Sequence, residues 1–442
     1  MVGPGKRCDL LGSFDGRGLR LHSAGARSGM PRDDQENPGE YDILILDASY
    51  KQALACARSL GRTGLRVALG ESATQFPAAH PHSLPAFRSR YSAHNVRLPS
   101  YSGDGEIFAA AVIEFVRKHP TRVILPGGDA TIAALRPCRG QLAELGCVLA
   151  VAPDAALRIA NNKADTLRIA RELGIAQPES IPIETVEDLS AVVSKLGFPL
   201  VLKPTVSWTG QSADRVVPVE VIDMDEATLA TERFLAAGAS VLAQRWACGR
   251  REGVTLFVVD GEVLASFAHA EHRTTPALGG ASVVRESIPA SRDILDGAVR
   301  LVTRIGLQGI CEVEYRRDAD QRPLLMEVNA RLAGTVENAI LSGIDFPVMI
   351  WQWATGLPID RYDSYRCGVR MRWLQGDLRW LGENYRRVGR PDSVSRGRSL
   401  WMFGAEFART YHYDFFNLRD LGPAIAELLS ACASAGKFIR AR

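Results

Sequence analysis

The sequence predicts a mixed fold in which an α/β domain is followed by an α+β domain. Residues 42–69 follow the order strand, helix, strand, and the first strand is apolar enough to be buried on both faces of a parallel sheet. Residues 200–268 hold several short strands with one helix among them, an order that favours an α+β unit. We therefore expect an N-terminal Rossmann-like parallel-sheet domain, a small β-rich lid and a C-terminal antiparallel-sheet domain.

Each element of the first domain has its own signal. Residues 51–60 read as a helix that ends at Gly61, and residues 106–118 repeat apolar pairs along one stripe, as a helix packed on a sheet does. Residues 123–125 and 147–151 read as the closing strands. Because the first turn reads Asp-Ala-Ser-Tyr and lacks G-x-G-x-x-G, we do not expect a dinucleotide site here.

The second domain opens with a helical stretch, residues 153–174, which is interrupted near Asn161 and ended by Gly174 at its C′ position. Asp260-Gly261 is a strong hairpin signal, and residues 294–305 predict a helix with one buried stripe. The remaining predicted elements are a helix at 228–237 and strands at 200–203, 215–219, 240–245, 254–259 and 263–268.

Changes in composition set the predicted boundaries. Residues 1–40 contain eight glycines and no apolar period, which predicts a disordered tail. We assign residues 41–152 to the parallel-sheet domain and residues 153–356 to the second domain, with its lid at about 180–245. Residues 357–442 are predicted to form a helical, arginine-rich extension.

The totals fit two or three globular domains in 442 residues. A net charge of +3 gives no reason to expect nucleic acid or a membrane as the main partner. Eight cysteines are scattered without metal-type spacing, so we expect reduced core thiols and a cytoplasmic protein. No apolar run approaches the roughly 20 residues of a transmembrane segment.

Two neighbouring strand segments carry polar side chains at period two. Glu312 and Glu314 share one face of the first segment. Glu327 and Asn329 share a face of the second, and Arg331 follows at the same spacing. Mg²⁺ prefers hard oxygen ligands and keeps substrate phosphates in its shell, so Glu314, Glu327 and Asn329 are candidate ligands for two such ions. Arg331 has the donor geometry to meet phosphate, and the alternative is an exposed hairpin with a solvated polar face.

Glu-x-Asn-x-Arg after a strand, with an acid thirteen positions earlier, resembles the metal end of the ATP-grasp superfamily. Biotin carboxylase, carbamoyl phosphate synthetase and D-alanine–D-alanine ligase belong to it. The resemblance covers about residues 42–355 and implies an ATP-grasp fold that binds ATP with Mg²⁺ or Mn²⁺. It is close to the carbamoyl phosphate synthetase large chain and to the carboxylate–amine ligases.

The same resemblance extends to the phosphate-binding residues. Lys203 ends an apolar strand, where a charge is otherwise costly, and resembles the lysine that reaches the α- and β-phosphates. Lys163 resembles a second phosphate-contacting lysine that precedes the lid. Gly210 lies in a loop similar to the family's glycine- and serine-rich loop, although this chain has only one glycine there. The alternatives are lysines with packed stems and solvated heads, and an ordinary hairpin turn.

Other segments resemble the adenine, ribose and acceptor sides of such a site. Glu252 resembles the acid that accepts ribose hydroxyls, although an exposed strand-start glutamate would look the same. Arg285 resembles the cation that steadies a carboxylate and then an acyl phosphate, and its alternative is a surface salt bridge. The hinge that binds adenine through its backbone corresponds to Gln244, Arg245 and Trp246, with arginine where other members commonly have glutamate.

The resemblance implies an ATP-dependent carboxylate–amine ligase that forms an amide through an acyl phosphate. Its partners would be ATP, a small carboxylate and an amine acceptor such as an amino acid, with a homodimer as one option for its assembly. A bicarbonate-activating carboxylase or carbamate-forming enzyme and a non-catalytic ATP-binding regulatory or scaffold protein remain alternatives. Residues 366–400 hold nine arginines against three acids, which predicts an amphipathic helix with a basic outer face, or else binding of a polyanion.

Overall fold

The computed structural model describes residues 7–9, 40–73, 84–101, 105–205, 218–276, 280–387, 389–410 and 412–430. Within them no helix is both long and apolar enough to cross a membrane. The predicted mixed fold is confirmed: one parallel sheet, one antiparallel sheet and one largely antiparallel sheet form the body of the protein.

The N-terminal domain is a five-stranded parallel sheet in the order β4-β3-β2-β5-β6, which confirms the predicted parallel sheet. The strands up to this point are β1 (Arg7–Asp9), β2 (Tyr41–Ile45), β3 (Val67–Ser72), β4 (Ser92–Leu98), β5 (Thr121–Leu125) and β6 (Val148–Leu149). The helices are α1 (Lys51–Arg62), α2 (Glu106–Lys118), α3 (Asp129–Leu135) and α4 (Arg139–Glu144).

The second part begins with two helices and a four-stranded antiparallel sheet in the order β7-β10-β8-β9, which we call the lid. The helical stretch breaks at Asn161 and Asn162, because the Asn162 side chain caps the second helix by accepting from two backbone N–H groups. The elements are α5 (Asp154–Ala160), α6 (Lys163–Glu172), β7 (Ser180–Ile183), α7 (Leu189–Leu196), β8 (Leu200–Pro204), β9 (Val219–Val221), α8 (Met224–Ala236) and β10 (Val241–Arg245).

A seven-stranded sheet in the order β15-β14-β11-β12-β13-β17-β18 forms the centre of the molecule. Asp260 and Gly261 both have positive φ, as a two-residue hairpin between β11 and β12 requires. Its elements are β11 (Arg251–Val259), β12 (Glu262–Thr275), β13 (Ala281–Ile288), α9 (Arg292–Ile305), β14 (Gly309–Arg317), β15 (Pro323–Asn329), α10 (Val336–Ser342) and α11 (Phe346–Thr355).

The C-terminal extension contains helices, as predicted, and also two strands that complete the central sheet. β17 pairs with β13, and β18 pairs in parallel with β17. The elements are β16 (Ser364–Arg366), β17 (Arg370–Arg372), α12 (Leu374–Arg386), α13 (Arg396–Arg409) and β18 (His412–Tyr413).

Two expectations need correction. The predicted tail is not wholly without structure, since β1 pairs antiparallel with β16; residues 1–6 and 10–39 lie outside the described residues. The thiols are not all reduced either, because Cys367 is disulfide-bonded. The free cysteines among the described residues are Cys56, Cys138, Cys147, Cys248 and Cys311.

The two faces of the central sheet have different neighbours, and this difference positions the site. One face packs Val254, Leu256 and Val313 against α9. On the other face Phe257 and Phe267 pack against α1, α10 and α11, so this half is apolar. The same face becomes polar toward the lid, where Glu312 and Glu314 lie.

Candidate active site

A row of residues crosses the polar half of the central sheet. Gly253 lies opposite both His269 and Glu314, and Glu314 lies opposite Glu327. The next row on the same face includes Glu312, which lies opposite Asn329. The imidazole of His269 lies directly against Gly253, since a Cβ added to this glycine would come within 2.3 Å of the ring.

The three predicted metal ligands form one cluster. Asn329 Nδ2 donates to a Glu314 oxygen at 2.7 Å and lies 3.5 Å from Glu327 Oε1. Burial raises the pKa of Glu314 well above its ordinary value, and the like charge of Glu327 raises it further. Such a pair of carboxylates favours a bound cation. No three His, Cys, Asp or Glu side chains within the described ranges form a metal cluster, so the rest of an octahedral shell would come from phosphates and water.

The two predicted lysines face this acidic cluster. Lys163, at the start of α6, places Nζ 3.3 Å from Glu327 Oε2. Although burial alone would raise the pKa of Glu327, the charges of Lys163, Lys203 and Arg331 hold it at about 2. Lys203 lies on β8 and is buried, and its Nζ donates to Gln244 Oε1 at 2.9 Å.

Lys203 belongs to the same electrostatic unit as the acids. Burial, together with the charge of Lys163, lowers the pKa of its ammonium to about 8. The charges of Glu327 and Glu314 act on this pKa in the opposite sense. Cations from the lid and from α6 are thus coupled electrostatically to the carboxylates of the central sheet.

The predicted hinge residues have different surroundings. Gln244 is buried between Lys203 and Ser180, whose hydroxyl accepts from Nε2 at 3.0 Å. Arg245 pairs with Glu179 and not with the acids of the central sheet. Its guanidinium donates to the Glu179 carboxylate at 3.0 Å, and its backbone N–H donates to the Glu179 carbonyl. Trp246 lies beneath the guanidinium of Arg316, 5.1 Å from the ring centroid. Gly210 lies outside the described residues.

The strand register separates Glu252 from the other candidate residues. Because Gly253 lies on the polar face, its neighbour Glu252 points to the opposite face, where α9 packs. Its carboxylate accepts from Arg250 at 2.9 Å and from Arg317 at 2.8 Å. Both oxygens of Glu252 are therefore used in ion pairs, and the structure does not bring this acid together with Glu314 and Glu327.

Arg285 also differs from the expectation of a free cation at the acceptor side. Its side chain is completely buried, and both terminal nitrogens donate to the carboxylate of Asp414, one of them at 3.0 Å. The charge of Arg285 is thus neutralised within the protein. Arg331 remains closer to its predicted place, since Nη2 donates to Asn329 at 3.0 Å while Nε donates to Asp129 at 2.9 Å.

Sequence reasoning missed one cation of this region, Lys51 at the start of α1. Its ammonium crosses to the central sheet and donates to the Ser282 carbonyl, with Asp414 Oδ2 at 3.8 Å. Burial, together with the charge of Arg285, lowers the pKa of Lys51 to about 8. Its place after the first strand of a parallel sheet was the available signal, because ligands bind at carboxyl ends of such strands.

Glu312 and His269 lie on the same face of the sheet as the acidic cluster. Thr335 Oγ1 donates to Glu312 at 3.1 Å, and His269 Nε2 lies 3.7 Å from the same carboxylate. Burial lowers the pKa of His269 to about 3, so this imidazole is neutral at physiological pH. A neutral histidine and a buried acid are suited to contact an amine.

Comparison with known proteins agrees with this geometry. Residues 272–377 match a family model described as "ATP-grasp in the biosynthetic pathway with Ter operon". The chain is 29% identical over 223 residues to a D-alanine–D-alanine ligase of Synechococcus sp. (strain JA-3-3Ab). Both matches show similarity to the ATP-grasp superfamily. The alignment with the ligase covers 46% of this chain and 63% of the ligase, less than two thirds of its length.

Solved structures show the same ATP-grasp fold at low identity. Biotin carboxylase from Campylobacter jejuni superposes with a TM-score of 0.57 and 15% identity, covering 76% of this chain and 75% of that one. An L-amino acid ligase from Bacillus licheniformis superposes with a TM-score of 0.53 and 20% identity, covering 72% and 75%. The described ATP-grasp core therefore extends well beyond the segment that the family model matches.

Proposed function

We propose that this ATP-grasp protein is an ATP-dependent carboxylate–amine ligase that uses Mg²⁺ or Mn²⁺. One observation carries the proposal: Lys203 on the lid and Lys163 on α6 face Glu314 and Glu327 on the central sheet. Cations on one side and carboxylates on the other suit a triphosphate bridged to the protein by divalent metal. The similarity to a D-alanine–D-alanine ligase supports an amino acid as one substrate.

In the first half-reaction a substrate carboxylate oxygen attacks the γ-phosphorus of ATP, the bond to the ADP oxygen breaks, and an acyl phosphate forms. Lys163 and Lys203 would bind the phosphate oxygens, and Arg331 would orient the transferred group. A metal held by Glu314, Glu327 and Asn329 would neutralise charge on the phosphates. Because Lys163, Lys203 and Asn329 are buried and the other groups are partly buried, their electrostatic effect is stronger than it would be in water.

In the second half-reaction the amine nitrogen attacks the acyl carbon, the bond to phosphate oxygen breaks, and the amine loses a proton. We assign Glu312 to contact the amine, since its carboxylate lies on the same face as Glu314 and beside neutral His269. Lys51 is the candidate for binding a substrate carboxylate, because Arg285 is already paired with Asp414. The substrates on this proposal are a small carboxylate and an amine such as an amino acid.

The test is release of ADP from ATP and Mg²⁺ with amino acids, singly and in pairs, with mass spectrometry of any condensed product. Glu327→Gln is expected to lower turnover at least about 100-fold, because a metal contact worth several kcal/mol is lost. The matched control is Glu262→Gln, an exposed acid of the same sheet that pairs with Arg361. It is expected to retain turnover.

The outcomes separate the alternatives. ADP and an amide product that both require Glu327 support the ligase. ADP release with bicarbonate alone replaces the ligase by a bicarbonate-activating enzyme, and absence of ADP under every condition favours a non-catalytic ATP-binding protein. Turnover that persists in Glu327→Gln places the metal site elsewhere.

A further inference from the structure

The arginine-rich extension contacts the lid through ion pairs. Arg387, which follows α12, donates to the carboxylate of Glu220 on β9. Arg390 donates both terminal nitrogens to the carboxylate of Glu226 on α8, one of them at 2.7 Å. We call Arg387 and Arg390 the latch arginines. Both of their acidic partners belong to the lid.

The latch arginines follow a helix, α12, that is fixed to the central sheet. Asp377 of α12 accepts from Arg273 of β12 through two bonds of 2.7 Å, and the pair is buried. Asn384 closes the turn after α12, because its amide exchanges two hydrogen bonds with the backbone of Val394. The extension is thus fixed to the central sheet while its arginines reach the lid.

The contact leads directly to the nucleotide site. Glu220 lies opposite Val201 in the β8–β9 ladder, and Lys203 is two residues further along β8. Because β9 is hydrogen-bonded to β8, a displacement of β9 is expected to displace the strand that carries Lys203. Asp392 joins the same segment to Arg316 of β14, beneath which lies the hinge residue Trp246.

We propose that Arg387 and Arg390 are positioning residues that hold the lid where Lys203 faces Glu314 and Glu327. The inference rests on the proposed function only in naming the metal–nucleotide complex as the ligand whose binding benefits. The latch is a physical contact between two parts of the chain. Its loss frees the lid and weakens binding of the nucleotide without removing any group that touches it.

The test exchanges the charges of Arg390 and Glu226, whose side chains are both partly exposed. Glu226→Arg and Arg390→Glu alone each place like charges together, whereas the double variant restores an ion pair with reversed polarity. Affinity for a non-hydrolysable ATP analogue with Mg²⁺ is measured by calorimetry. We expect roughly threefold to tenfold weaker binding for each single variant and recovery to within about twofold in the double variant. Arg386→Gln, a change at the exposed neighbouring arginine, is the matched control and is expected to bind as the wild type does.

Hydrogen exchange of β9 and α8 tests the latch without nucleotide. Exchange that rises in both single variants and returns in the double variant supports the latch. Unchanged exchange in Arg390→Glu overturns it, as do two single-variant effects that simply add in the double variant. Faster exchange with unchanged nucleotide affinity overturns the positioning role. A wild type that does not bind the analogue refutes the proposed function instead, and the exchange result then still decides whether the lid is held.

Discussion

Replacement of Asp414 by Asn tests whether Arg285 is a structural cation. Both terminal nitrogens of Arg285 donate to Asp414, and both side chains are at most 2% exposed. The substitution leaves the guanidinium buried without its counter-charge and also removes the nearest carboxylate of Lys51. Breaking a buried ion pair from one side costs about 3–5 kcal/mol. We expect Asp414→Asn to lower the free energy of unfolding by about that amount.

Urea unfolding followed by tryptophan fluorescence measures this change. Glu262→Gln, which breaks an exposed pair with Arg361, is the control and is expected to have little effect. The double variant Arg285→Met, Asp414→Asn is expected to cost less than the sum of its single changes, because no guanidinium remains unpaired. A loss below about 1 kcal/mol in Asp414→Asn would refute the reasoning.

The pH dependence of the same variant provides a second check. Although burial alone would raise the pKa of Asp414, the charges of Arg285 and Lys51 lower it below its ordinary value. A carboxyl group with a lowered folded pKa stabilises the native state above its unfolded pKa, near 4, and this stabilisation is lost as pH falls through the folded pKa. The difference between wild type and Asp414→Asn is therefore expected to be constant above about pH 5 and to shrink below about pH 4.

Three further predictions concern individual positions of the site. Lys51→Met is expected to raise KM for the carboxylate substrate about tenfold or more, since a charged hydrogen bond is worth about 1.5–3 kcal/mol. KM for ATP is expected to stay unchanged. A change in KM for ATP alone, measured by steady-state kinetics, would contradict this prediction. Glu252→Gln is expected to lower the free energy of unfolding, because Arg250 and Arg317 lose a buried partner. Nucleotide affinity is expected to stay unchanged. Weaker nucleotide binding in calorimetry would support the assignment of Glu252 to the ribose. Gly253→Ala is expected to displace the His269 ring, since the added Cβ would lie 2.3 Å from it, and to lower turnover. Steady-state kinetics equal to those of the wild type would show that turnover does not depend on the position of this ring.

The sequence predicts those parts of the site that depend on local alternation. Glu314, Glu327 and Asn329 meet because period-two spacing puts each on a defined face and a short turn joins their strands. The face on which Glu252 lies depends on the pairing of β11 with β14, which is a long-range register that no local pattern contains. Lys51 and Ser282 are separated by 231 positions, so their contact is equally absent from local sequence.

The extension shows why charge counted along a segment predicts its surface poorly. Arg370 pairs with Glu286 and Glu406, and Arg372 pairs with buried Asp377, so these two cations are neutralised within the fold. Arg379 and Arg386 of α12 are exposed, as the predicted basic outer face requires. The partners of Arg370 and Arg372 come partly from the extension and partly from β13, which a local count of acids omits. Because β17 also supplies the hydrogen bonds that β13 would otherwise leave at an open edge, the extension belongs to the same cooperative unit as the sheet that carries the candidate site. The acidic partners of Arg387 and Arg390 belong to the lid, so these two ion pairs join the extension to the lid as well.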